Sequence, residues 1–146
     1  MWRELTEADV LSVLSEPEKL AYESAAAGSG QDVLAEITAG VVNHARGYIA
    51  DNPVNSLAAG LTLPERVIRP ALHLIRIDML TRLDIEVSED RRSAGKSAER
   101  FFEQVAAGKV AIERPAGAVD ESSPQPRVKV VSNHERQATR ENLAGL

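Results

Sequence analysis

Between Pro64 and Leu83 apolar residues fall at Val67, Ile68, Ala71, Leu72, Ile75, Met79, Leu80 and Leu83, and Leu74 and Ile77 widen the face. This spacing predicts a helix whose apolar surface is too broad to be covered from one side. A chain built around it must supply several further helices as cover. Pro64 suits a first helical turn, whereas Pro70 falls inside the pattern and predicts a kink near the helix start. Only 3% of the residues are aromatic, so the core must be built from Leu, Ile, Val and Ala. That supply favours packed helices over a β-sandwich, whose strands call for β-branched and aromatic side chains. With 146 residues, 43% of them apolar, the chain suffices for one core but not comfortably for two.

The covering helices are legible. Thr6 and Asp9 stand three apart like a capping box, and Val10, Leu11, Val13 and Leu14 follow at helical spacing. Ser15 reads as a new N-cap, with Pro17 in the first turn of a second helix that ends at Gly28-Ser29-Gly30. A third helix is expected over 31–50, where Val33, Ile37, Val41, Ala45 and Ile49 recur every four residues; Asp51-Asn52-Pro53 stops it. Residues 51–63 then form a loop that Leu57, Leu61 and Leu63 should hold against the core. A fifth helix is expected over 90–107, with Ala94, Ala98, Phe101, Phe102 and Val105 inward and Gly108 as its C-cap. Residues 109–113 read as a short extended segment. The expected fold is therefore all-α: a compact bundle of about five helices over 1–113, followed by an extended or disordered C-terminal arm over 114–146. Within the arm, Arg127-Val-Lys-Val-Val131 is a strand-like alternation.

Chemistry is harder to find. Without cysteine there is no disulfide scaffold, thiolate zinc site or cysteine nucleophile. His44, His73 and His134 are isolated and form no metal-binding pair. Asp78 and Arg82, four apart, read as a helix-surface ion pair rather than a catalytic base. Ser93-Ala-Gly-Lys96-Ser97 lacks the upstream glycine and strand of a phosphate loop. No enzyme, cofactor or metal is expected. No apolar run reaches the roughly 18 residues that span a bilayer, and the N-terminus lacks a signal peptide's apolar stretch, so a soluble intracellular protein without membrane contact is expected. Residues 1–36 hold eight acidic and two basic side chains in a chain of net charge −5, unlike the basic footprint of a nucleic-acid binder. Arg66, Arg69 and Arg76 do share a helical stripe, which keeps a small helical DNA-binding or regulatory protein as the alternative. A solvated face or a subunit contact is the plainer reading of that stripe.

The order of elements resembles the Mu-like phage head–tail adaptor proteins. Ala35-Glu-Ile-Thr-Ala-Gly-Val-Val-Asn-His-Ala-Arg-Gly-Tyr-Ile49 is similar to that family's helix ending in a Tyr-hydrophobic pair. Leu63-Pro64 and Val67–Leu83 match its proline and long apolar helix. Phe101-Phe-Glu-Gln-Val-Ala-Ala-Gly-Lys-Val-Ala-Ile112 matches its last helix and Gly-Lys-Val ending. The resemblance covers about residues 5–113. It implies a non-enzymatic connector, made in the host bacterial cytoplasm and placed in the virion at the head–tail junction. Its implied partners are further copies in a ring, the portal protein above and a tail or head-completion protein below. It also implies proximity to packaged DNA without specific binding. Arg66, Arg69, Arg76, Arg127, Val128, Lys129, Val130 and Val131 are the expected subunit or partner contacts.

Overall fold

The structure, a computed structural model, describes residues 1–29 and 32–118. Five helices build the body: α1 (Glu7–Val13), α2 (Glu16–Ser29), α3 (Val33–Asp51), α4 (Glu65–Arg82) and α5 (Glu89–Ala106). The all-α architecture expected from the sequence is the one adopted. A two-stranded antiparallel sheet is added, β1 (Trp2–Glu4) on β2 (Thr62–Pro64), with Trp2 opposite Pro64 and Glu4 opposite Thr62. Strands of three residues are too short to show a period-2 pattern, so the sequence gives no sign of them.

Helix α4 is central, packing against α1, α3 and α5. It buries Val67, Ile68, Ala71, Leu72, Ile75, Met79 and Leu80, and α3 and α5 cover them with Val41, Ala45, Ile49, Phe102 and Val105. Pro70 lies in the second turn of α4, which continues unbroken to Arg82. Having no N–H, Pro70 offers nothing to the carbonyl of Arg66. At Gly95 helix α5 comes so close to α4 that a Cβ would meet Ile77 Cδ1. The Gly95-Lys96-Ser97 triplet thus lies within α5 and cradles no phosphate.

Local chemistry fixes the helix ends. The Thr6–Asp9 capping box forms in both directions. Arg3 of β1 grips the same Asp9 carboxylate through Nη1 (2.8 Å) and Nη2 (3.1 Å), tying the sheet to α1. Asp32 caps α3 by accepting from Ala35 N–H. At the end of α5, Gly108 adopts φ +72°, Gly108 N–H bonds Val105 O and Lys109 N–H bonds Gln104 O, which is a Schellman cap as expected for this glycine. The end of α4 is closed in the same way with Asp84 at φ +54°, a left-handed position where the sequence holds no glycine.

One expectation for the connecting segments needs correction. Of the three loop leucines only Leu63 is buried; Leu57 and Leu61 are exposed. Polar ties govern that loop instead: the Arg46 guanidinium donates to Ala58 O and Thr62 O, both at 2.8 Å, and so turns Leu57 and Leu61 outward. Residues 109–113 join no sheet ladder. They are held from outside, by Trp2 Nε1 donating to Glu113 O (2.8 Å) and Arg66 Nη1 donating to Ala111 O (2.9 Å). No helix among the described residues is long and apolar enough to cross a membrane.

Candidate interaction surface

Large apolar side chains gather outside the core at one end of the bundle, beside the sheet. Met1, Val54 and Leu57 are 84%, 71% and 41% exposed, and all three line one open cleft together with Trp2. Its opposite wall is residues 113–118, the last described part of the chain. Both walls are fixed. Asn52 Oδ1 accepts from Val54 N–H, Asn55 Nδ2 donates to Ile49 O, and Arg46 holds the rest of the loop to the sheet. Across the cleft, the Met1 ammonium pairs with the Glu113 carboxylate. The cleft measures about 1240 Å³, larger than the roughly 300–1,000 Å³ of sites built for small molecules. Sequence reasoning missed Arg46, an isolated cation one turn before the end of α3, because its partners are loop carbonyls that carry no residue-type signal.

The arginine stripe of α4 does not face solvent as one unit. Arg66 is spent on Ala111 O, and Arg76 turns inward to the carboxylate of Glu18 on α2, with Nη2 2.8 Å from Oε2. Arg69 is exposed. Glu18 is only 4% exposed. Its Oε2 also accepts from Ser15 N–H at 2.7 Å, and its Oε1 pairs with Arg91 of α5. Burial alone would push this carboxyl up, but the Ser15 amide and the two guanidinium groups outweigh it and hold the carboxyl below its ordinary value. Arg127, Val128, Lys129, Val130 and Val131 lie outside the described residues, as does His134.

The remaining candidates stay apart. Arg82 pairs with Glu36 of α3 at 3.3 Å, which replaces the expected Asp78–Arg82 pair. Asp78 instead lies beside His44 and Glu99, where partial burial pushes its carboxyl up. His44 packs edge-on against Tyr48, with ring centroids 5.0 Å apart. Burial, together with Arg69 and Arg76, lowers the His73 pKa. No cluster of three metal-ligating side chains occurs among the described residues. No family model, curated protein or solved structure matches this chain.

The charge pattern fixes a pH response. The Arg3 guanidinium, with the Thr6 amide, holds the Asp9 carboxyl far below its ordinary value, and Glu18 is also held down. Both groups therefore take up protons more readily in the unfolded chain, and stability falls as pH drops through about 5 to 3. His73, with its folded pKa lowered, adds a smaller loss as pH drops below about 6.5. Urea unfolding at stepped pH should show a steady stability from pH 7 to 8 and a decline below pH 5. Glu18→Gln should flatten that decline; an unchanged slope would remove Glu18 from it.

Proposed function

We propose that this protein is a structural head–tail connector of a phage or prophage particle, assembling as a ring beneath the portal and joining head to tail. The observation that carries this reading is the exposed apolar cleft of Met1, Val54 and Leu57 at one end of an otherwise well-buried bundle. Contiguous exposed apolar surface rimmed by polar groups marks a protein contact. A closed ring needs two different patches per subunit, one meeting the other on the neighbour, and the cleft supplies one of them. The acidic surplus of residues 1–36 suits a ring lumen through which DNA passes, since like charge repels phosphate. The portal and tail partners and the virion location belong to the same proposal.

The test is size exclusion with light scattering over a wide concentration range, with and without the cognate portal protein. A discrete high-order ring, alone or only with portal present, is the expected result, and deleting residues 115–146 should abolish it. A tight dimer at every concentration would turn the assignment toward the DNA-binding alternative. In a parallel titration, duplex DNA should not bind at physiological salt, because Arg76 is held by Glu18 and Arg66 by Ala111. Binding with a steep salt dependence would argue for DNA recognition instead.

A further inference from the structure

We infer that the groove between the end of β1, the start of α3 and Leu61 is a docking site for a basic segment of a partner protein, one that presents lysine or arginine among apolar side chains. The inference stands apart from the connector reading and concerns a different face from the Met1 cleft. The groove holds about 300 Å³, at the small end of the roughly 300–1,000 Å³ of ligand sites, which is room for one or two long side chains rather than a folded domain. Its floor is apolar. Leu5, just after β1, meets Leu34 and Val42 of α3, both of them buried, and the small side chains of Ala35 and Ala39 leave the space above α3 open. Leu61 stands at one side, 44% exposed, so a large apolar side chain already faces the opening without a partner in the core.

The rim decides what the occupant is. Glu4, Glu7 and Asp32 supply three carboxylates, and no lysine, arginine or histidine lines the groove. None of the three enters an ion pair among the described residues; Asp32 spends Oδ1 on the cap of α3. The nearby cations are committed elsewhere, Arg3 to Asp9 and Glu65, and Arg46 to the carbonyls of Ala58 and Thr62. Tyr22 feels the uncompensated charge: its phenol is pushed up first by burial and then by Glu7 and Asp32. The carboxylates do not converge as a metal site would, for no such group of three occurs among the described residues. A lysine or arginine side chain matches both parts of the groove, since its methylene stem packs on apolar surface while its charged head reaches a polar rim. Nucleic acid would be repelled by the same rim. The described chain ends on the Met1 cleft, at residues 113–118, and no residue after Leu61 lines the groove, so the occupant is assigned to a second protein.

The test is an NMR titration of the full-length protein with an acetylated, amidated peptide, Ala-Val-Lys-Val-Lys-Val-Ala, and with the same peptide carrying glutamine for both lysines. The lysine peptide should shift the amides of Glu7, Ala39 and Leu61, and the glutamine peptide should bind about tenfold more weakly. Glu4→Gln with Glu7→Gln should weaken the lysine peptide by a similar factor, and added salt should weaken it further. Leu61→Ser should also weaken it, by about threefold, through loss of apolar contact. All three positions are exposed, so an unchanged amide spectrum away from the groove will show that the variants fold. Absence of any shift at about 1 mM peptide would overturn the inference. Equal binding of the two peptides would do so too, as would shifts confined to the Met1 cleft. A carboxylate effect without a Leu61 effect would reduce the groove to diffuse charge attraction and reject it as a docking site. Tighter peptide binding by full-length Arg127→Glu/Lys129→Glu would mean that the chain's own basic segment competes for the groove, and would reject a second protein as the occupant.

Discussion

Glu18→Ala should lower the stability of the protein by about 3 kcal/mol, because it strands two guanidinium groups that now share one buried carboxylate. Arg76 and Arg91 retain 19% and 27% side-chain exposure, so water can reach them, which places the loss at the lower end of that expected for a broken buried pair. The effect should be concentrated in α2. Among the described residues of that helix Glu18 is the only buried one, Tyr22 is half-buried, and Leu20 and Ala25–Ala27 face solvent. The anchor of α2 is therefore an ion pair, with little apolar surface behind it. Amide exchange in Glu16–Ser29 should rise well before global unfolding, while α4 and α5 remain protected. Glu18→Leu combined with Arg76→Met should recover part of the loss, since apolar replacement of a buried pair is often close to neutral. If Glu18→Ala leaves both global stability and exchange in α2 unchanged, the carboxylate is not what holds the helix.

Glu18 also marks the limit of what the sequence discloses. The apolar period of α4, the caps at Thr6 and Gly108 and the inward face of α5 are all local patterns, and each reappears in the structure within a residue or two of its expected place. Charged residues behave differently, because helical spacing identifies neighbours on one helix and says nothing of the helix opposite. Asp78 and Arg82 have the right separation for a pair, yet Arg82 reaches Glu36 on α3, and Arg76 leaves its stripe for Glu18, 58 positions earlier in the chain. The loop 51–63 went the same way. Its leucines have the spacing of a covered segment, but Arg46 decides its path by binding two backbone carbonyls. The cleft arises from that decision, so it was not readable before the loop was placed. Only the cation at position 46 gave any hint, as a charge near the end of an apolar helix without a sequence-local partner.

The largest single loss is expected from Phe102→Ala, about 3–5 kcal/mol, a substantial share of the 5–15 kcal/mol typical of a whole domain. Phe102 is completely buried on α5, stacked on Tyr48 of α3 at 5.9 Å between ring centroids and set edge-on to Phe101. The buried cluster that holds Phe102 is rich in β-branched side chains, among them Ile49, Val67, Ile75 and Val105, which have few rotamers by which to close a cavity. Phe101→Ala, at a half-buried position, should cost clearly less, and Phe102→Leu should recover most of the loss because it keeps the volume near the original. Urea titrations read by Trp2 fluorescence and by helical circular dichroism should give coincident transitions, with the midpoint of Phe102→Ala reduced and its slope unchanged. A small loss for Phe102→Ala, or an equal loss for Phe101→Ala, would mean that the α3–α4–α5 core is not centred on this ring. The cleft would inherit the damage, since Asn52, whose Oδ1 orders Val54, also donates through Nδ2 to Val105 O on α5. Loss of packing at Phe102 should thus reach the docking surface through one side chain, and assembly should weaken in Phe102→Ala under conditions where the monomer is still folded.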